Sequence, residues 1–318
     1  MPRSINYRPT LIDELITNER LNSYANVFQH ADDVELVGAY LWNIHVCSAL
    51  YPLLTAAEVT LRNSIDTALT QDIGRFWWSR NRLHYRSFAP GAAEPFAVSA
   101  IKKNFSKAAN QVRRDKQDRY SIRNARPTHH ETIAKTEFST WEFILDPEFM
   151  GPNLIWPSHL GSVFRGAWPT TRASNMLAST KDLVKTVREF RNRVSHYEPV
   201  WKRFGVRNEV EAITHLHEKI DKIKQLIALV SPEKMELVTK NGLISIAERM
   251  CSINELRRCQ HNIESHKVKS MAKLSKLVRQ ANEHNVTKQI TVYKYGKSRE
   301  TANKSCNLGL DRDVALPV

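Results

Sequence analysis

Three side chains in one short stretch have the types needed to move a proton and hold a phosphate. Arg191, Asn192 and His196 lie within Val187-Arg188-Glu189-Phe190-Arg191-Asn192-Arg193-Val194-Ser195-His196-Tyr197-Glu198-Pro199. An imidazole gives and takes protons near neutral pH. A guanidinium offers a fixed fork of donors that matches a phosphate. Leu183, Val187, Phe190 and Val194 repeat at helical spacing, so the stretch reads as the end of an amphipathic helix over Ser174 to His196, closed by Pro199. At about 100° per residue, Asn192 and His196 share a face nearly opposite that apolar stripe. Such a face looks to solvent or to a partner. Arg191 and His196 are about 140° apart on an ideal helix. They meet only if the helix unwinds near Ser195, if Arg191 reaches around, or if two subunits share the site. The same residues also suit a plain charged helix end, with cations at the negative pole of the helix dipole.

The elements that must position this stretch are helical. Gly (10) and Pro (13) are scarce among 318 residues, which disfavours all-β and phosphate-cradling folds, both heavy users of glycine. A first helix is expected from Thr10 to Phe28. A longer one is expected from Asp33 to Thr70, broken at Pro52, with Leu54, Ala57, Leu61, Ile65 and Leu69 on one stripe. Residues 80–100 read as irregular and Ser99 to Arg119 as a basic helix. Thr128 and Glu131 have the spacing of a capping box opening a helix through Trp141 to Ile144. Asp146 to Pro169 reads as loop with short turns. Helices follow over Val210 to Val230, a short one after Ser231-Pro232, and a basic one over Ile253 to Ala281. From about Asn282 the pattern weakens, as expected of a partly disordered end.

Charge is segmental. The net +14 divides into +10 over residues 75–126, +7 over 251–318 and −3 elsewhere. Basic segments suit a polyanion, because neutralising phosphates releases counterions. A solubilising excess is the plainer alternative. Lys102, Lys103, Lys107, Arg113 and Arg114, with Arg188 and Arg193, are the candidate RNA contacts. Phe76, Trp77, Trp78, Tyr85, Phe88, Phe105 and Tyr120 are interleaved with the first basic segment; Trp77 and Trp78 are assigned to the core. No run of about 18 apolar residues is found, so no membrane span is expected. Met1 to Leu11 is polar and unlike a secretory signal. Cys47, Cys251, Cys259 and Cys306 are too scattered for a disulfide framework. The expected compartment is the reducing cytoplasm. Cys251, Cys259, His261 and His266 fit no zinc-finger spacing, and His129-His130 and His215-Leu216-His217 are equally weak as metal sites. Neither metal nor cofactor is expected.

Arg191-Asn192-Arg193-Val194-Ser195-His196 resembles the R-x4-H signature of the HEPN superfamily. Tyr197-Glu198-Pro199-Val200 resembles the ending common in its Abi-like (abortive infection) members. Upstream, Glu58-Val59-Thr60-Leu61-Arg62-Asn63 is similar to that family's E-x-x-L-R-N helix. Phe138-Ser139-Thr140-Trp141 stands where the family has F-G-x-W, with Ser139 in place of the glycine, and Ile223 to Glu233 looks like its closing helix. The likeness covers residues 35–240. It implies an all-α, HEPN-like bundle, flanked by an N-terminal segment (1–34) and a basic, partly helical extension (241–318). It further implies a homodimeric, metal-independent endoribonuclease acting as a toxin in phage defence, held by a protein or small-RNA antitoxin. Carried over, His196 is the acid/base for attack of the RNA 2′-hydroxyl, Arg191 steadies the phosphorane and Asn192 orients the site. Glu58, Arg62 and Asn63 would support it; an intrahelical Glu58–Arg62 pair is the bland alternative. Two rival readings remain: a non-catalytic protein that holds a structured small RNA, and a purely structural dimer.

Overall fold

The computed structural model describes residues 16–79, 81–262, 265–268, 270–284 and 289–292. The fold is all-α, with twelve helices among these residues and one two-stranded parallel pair. The helices are α1 (Asn18–Ala25), α2 (Asp33–Asp72), α3 (Phe96–Tyr120), α4 (His129–Ala134), α5 (Phe138–Phe143), α6 (Leu160–Val163), α7 (Ala173–Ser195), α8 (Glu209–Val230), α9 (Pro232–Lys240), α10 (Leu243–Met250), α11 (Ile253–Cys259) and α12 (Met271–His284). The chain forms two compact units. The larger is Asn43–Phe204 with Thr214–Met250. The smaller gathers the described parts of Met1–Trp42, Gly205–Ile213 and Cys251–Val318, so both expected flanking segments contribute to one unit.

In the larger unit α2 is the core helix. Val46, Leu50, Leu53, Leu54, Ala57, Leu61, Ile65 and Leu69 are all essentially inaccessible. Pro52 does not break it. The proline sits on the exposed face, where water can take up the carbonyl it leaves unbonded, while Leu50, Leu53 and Leu54 fasten the buried side. Residues 37–57 carry no Asp, Glu, Lys or Arg, so by length and composition α2 is long and apolar enough to cross a membrane, contrary to the expectation above. Its buried stripe is what a core helix shows.

Thr128 caps α4 as expected: its hydroxyl accepts from the Glu131 amide at 3.3 Å and the Glu131 carboxylate accepts from the Thr128 amide at 2.8 Å. The single helix expected from there to Ile144 is instead two, α4 and α5. The break falls at Lys135–Glu137, where the Thr136 hydroxyl donates to the Ile133 carbonyl at 2.7 Å and the chain turns out of the helix. α7 buries Leu183, Val187, Phe190 and Val194. Between α6 and α7, Gly166 passes so close to α8 that a Cβ there would lie 2.1 Å from the Ala228 carbonyl oxygen.

The smaller unit closes tightly on its own helices. A Cβ on Gly38 would lie 2.5 Å from the Cys259 carbonyl oxygen, so only glycine lets α2 approach the end of α11 there. The expected helix over Ile253 to Ala281 is replaced by α11, a strand β1 (Ser265–Val268), and α12; β1 pairs with β2 (Gln289–Val292). The Thr10–Leu15 part of the first helix and the weakly patterned end beyond Val292 lie outside the described residues.

Candidate active site

The end of α7 is shaped by its backbone. Tyr197 adopts φ 50°. The Tyr197 amide donates to the Val194 carbonyl (3.1 Å) and the Glu198 amide to the Arg193 carbonyl (3.0 Å), a Schellman closure. Arg193 reinforces it: its guanidinium pairs with Glu198 at 3.2 Å and donates to the carbonyls of Pro199 and Lys202. The segment beyond is pinned by Asn43, fully buried on α2. Its amide donates to the Glu198 carbonyl at 3.0 Å and its carbonyl accepts from the Val200 amide at 3.1 Å. Arg193 therefore closes a helix end and is not a free RNA contact. Asn43 was not singled out from sequence; a lone Asn in an apolar helix carries no signal of which distant backbone it will bind.

Arg191 and Asn192 open into a cleft of about 460 Å³ between α2, the α4–α5 break and α7. It is lined by Glu58, by residues 135–139, and by Arg188, Arg191 and Asn192. Arg191 pairs with Glu58 across the cleft floor, Nε to Oε2 3.3 Å. Burial pushes the Glu58 carboxyl above its usual range, against the lowering pull of Arg191 and then Arg62. The E-x-x-L-R-N helix and the R-x4-H helix thus meet through Glu58. Arg62 turns elsewhere, its Nε donating to Asn63 at 3.3 Å, and neither lines the cleft. The ion pair of Glu58 is thus made between helices, with Arg62 acting on it only through its charge.

His196 occupies the C-cap of α7 and is exposed, outside the residues that line the cleft. The helix does end at Ser195, yet this does not bring His196 beside Arg191 within one chain's cleft. Ser139, the departure from the F-G-x-W element, does enter the cleft, where its hydroxyl accepts from Asn104 at 3.2 Å.

The remaining cations are mostly engaged. Arg188 pairs with buried Glu142, Lys102 with Glu94, Lys107 with Glu137 and Lys135 with Asp115, and Arg113 donates to Asn110 at 2.6 Å. Lys103 and Arg114 are exposed on α3. Lys102 and Arg113 also line a second cleft, of about 790 Å³, with Trp78 and Phe105. Trp78 cannot serve there as a stacking platform. One face lies on Phe105 (4.2 Å) and the other on His129 (4.8 Å); Trp77 is in the core as assigned, whereas Trp78 is only half-buried. Phe88, Phe96 and Tyr120 are the strongly exposed aromatics of this segment.

A polar cluster that the sequence did not reveal ties α4 to α2. Asp66 accepts from the Trp77 indole at 2.9 Å and meets His129 Nε2 at 3.0 Å; His129 Nδ1 accepts from the Phe76 amide at 3.0 Å. With His130 these side chains lie within 4.8 Å, close enough to share a metal ion. The hydrogen bonds argue otherwise. An Nδ1 that accepts an amide proton requires the ring proton on Nε2, which points it at Asp66 and leaves no lone pair for a metal.

Comparison with protein-family models, with curated proteins and with solved structures finds no match to this chain.

Proposed function

We propose that this chain is a metal-independent endoribonuclease of the Abi-like group in the HEPN superfamily, working as a homodimer in the cytoplasm as a toxin of phage defence. Cleavage would proceed by attack of the RNA 2′-hydroxyl on the adjacent phosphate, leaving a 2′,3′-cyclic phosphate and a 5′-hydroxyl. The observation that carries this reading is the joining of two separate motif helices at one open cleft: Glu58 of α2 against Arg191 of α7, with Asn192 beside them. An exposed imidazole, His196, stands just past the same helix. Arg191 supplies charge stabilisation and His196 proton transfer. Because His196 lies outside the cleft of its own chain, the dimer has a chemical task, namely to bring one subunit's imidazole to the other's guanidinium.

The test is incubation of purified protein with total RNA in EDTA beside the His196→Ala variant. Wild type should yield fragments with 5′-hydroxyl ends, and the variant should leave the RNA whole. Identical RNA profiles would remove the catalytic claim. A second reading has its own support: Lys103 and Arg114 stand exposed on α3, where they suit the backbone of an RNA that is held without being cut. Intact RNA that co-purifies with the protein would favour that alternative.

A further inference from the structure

Glu58 differs from the other carboxylates around the cleft in how little holds it. Its side chain is 14% exposed, and its one ion pair among the described residues is the 3.3 Å contact with Arg191, made through Oε2. Glu137, the other acid lining the cleft, is about half exposed and is held by Lys107. Glu142 grips Arg188 from a buried position. The second oxygen of Glu58 is uncommitted, on the wall of a cavity with room for a ribose and its phosphate. A carboxylate withdrawn from water and weakly bonded is a stronger base than an exposed one.

Resting on the ribonuclease reading, we propose that Glu58 is the general base of the cleft, the group that takes the proton of the attacking 2′-hydroxyl. As the O2′–P bond forms, the hydroxyl proton passes to Glu58. The P–O5′ bond then breaks, its electron pair leaves on O5′, and His196 as imidazolium protonates that oxygen. The pairing with Arg191 links the two events. Once Glu58 is neutralised by the proton, it no longer competes for the guanidinium, and Arg191 turns its full charge to the phosphorane. This divides the work between two groups, the base in the cleft and the acid that a second copy of the chain brings to it. It also accounts for a perturbed carboxyl where a purely supporting role would need only a surface ion pair.

The experiment is single-turnover cleavage of an RNA oligonucleotide in EDTA between pH 4.5 and 8, with wild type, Glu58→Gln and Glu58→Asp. A 2′-deoxy version of the same oligonucleotide measures binding without chemistry. Glu58→Gln should bind the deoxy analogue within about threefold of wild type, yet cleave about 100- to 10,000-fold more slowly and lose the acidic limb of the rate profile. Glu58→Asp should keep that limb at an intermediate rate. Glu58→Gln cleaving at the wild-type rate with an unchanged limb would overturn this role and leave the ribonuclease reading standing. A Glu58→Gln variant that loses analogue binding in proportion to its rate would overturn it too, since the residue would then be holding shape. Wild type that cuts no faster than His196→Ala would overturn both readings together.

Discussion

Lowering the pH from 7 to 4 should weaken the larger unit through a single side chain, His215. This residue lies on α8, is 3% exposed, and neither ring nitrogen has a hydrogen-bond partner. Burial is the main reason that its pKa falls to about 4. Lys219, Arg203 and Arg193 add to the shift, while Glu218, with Oε2 3.8 Å from Nδ1, opposes it. An unfolded histidine titrates near 6.5. The folded pKa therefore lies below the unfolded one, and between pH 6.5 and 4 the unfolded chain binds the proton more readily. Above pH 6.5 the ring is neutral in both states and the linkage has no effect. Below it stability falls with pH until the folded ring is itself protonated. A gap of about 2.5 units corresponds to about 3 kcal/mol, a sizeable part of the 5–15 kcal/mol typical of a domain. His215→Leu, close in volume and without polar atoms, removes the titration. Urea unfolding followed by tryptophan fluorescence at pH 7, 6, 5 and 4 should show the variant gaining about 3 kcal/mol on wild type across the series, with unchanged m-values. Two curves that stay parallel would show that the ring is solvated or paired in solution, and the burial argument would be lost.

Three other outcomes follow from the larger unit. Asn43→Leu should lower stability by about 1–3 kcal/mol for each of the two backbone groups it abandons, Glu198 C=O and Val200 N–H; an unchanged melting temperature would mean that water replaces the amide. The Cys47 thiol, pushed up to about 12 mainly by burial, is about one part in ten thousand thiolate at pH 8. Iodoacetamide should label it only after unfolding, and equal labelling in native and urea-treated protein would contradict the assigned burial. If subunits share the site, mixing inactive Arg191→Ala and His196→Ala chains should restore cleavage, because one of the two composite sites regains both groups. Continued inactivity of mixed dimers would confine the chemistry to one chain.

The helices were legible wherever an apolar stripe decides. Leu183, Val187, Phe190 and Val194 announce α7, and each is buried. The Thr128–Glu131 box announces the start of α4, because a capping box is local chemistry between neighbours. What sequence could not supply were events set by distant backbone. The α4–α5 break depends on how Thr136 closes the preceding turn, and without that break no cleft would open beside Arg191. Pro52 looked like a helix breaker, but the stripe on both sides of it outweighs one missing hydrogen bond. Charge counting located the basic segment but not which of its cations are paired. Within it Lys102, Lys107 and Lys116 each meet a carboxylate, while Lys103 and Arg114 stand exposed on α3.

The last turn of α7 shows how helix geometry assigns opposite work to identical side chains. Arg191 and Arg193 are two positions apart, so they point about 200° from each other around the axis. One reaches Glu58 in the cleft, and the other bends to the carbonyls of Pro199 and Lys202 and shuts the helix end. Neither task could be exchanged by sliding the register one residue. His196 falls on the cap itself, where the backbone turns to φ 50° at Tyr197 and Asn43 holds the chain beyond. The imidazole is thus carried on a firmly fixed outward corner, five residues from Arg191 and on a different azimuth. If this imidazole and this guanidinium act on one phosphate, a second copy of the chain is the route proposed above, and the backbone bonds that hold this corner would then help to set the spacing between subunits.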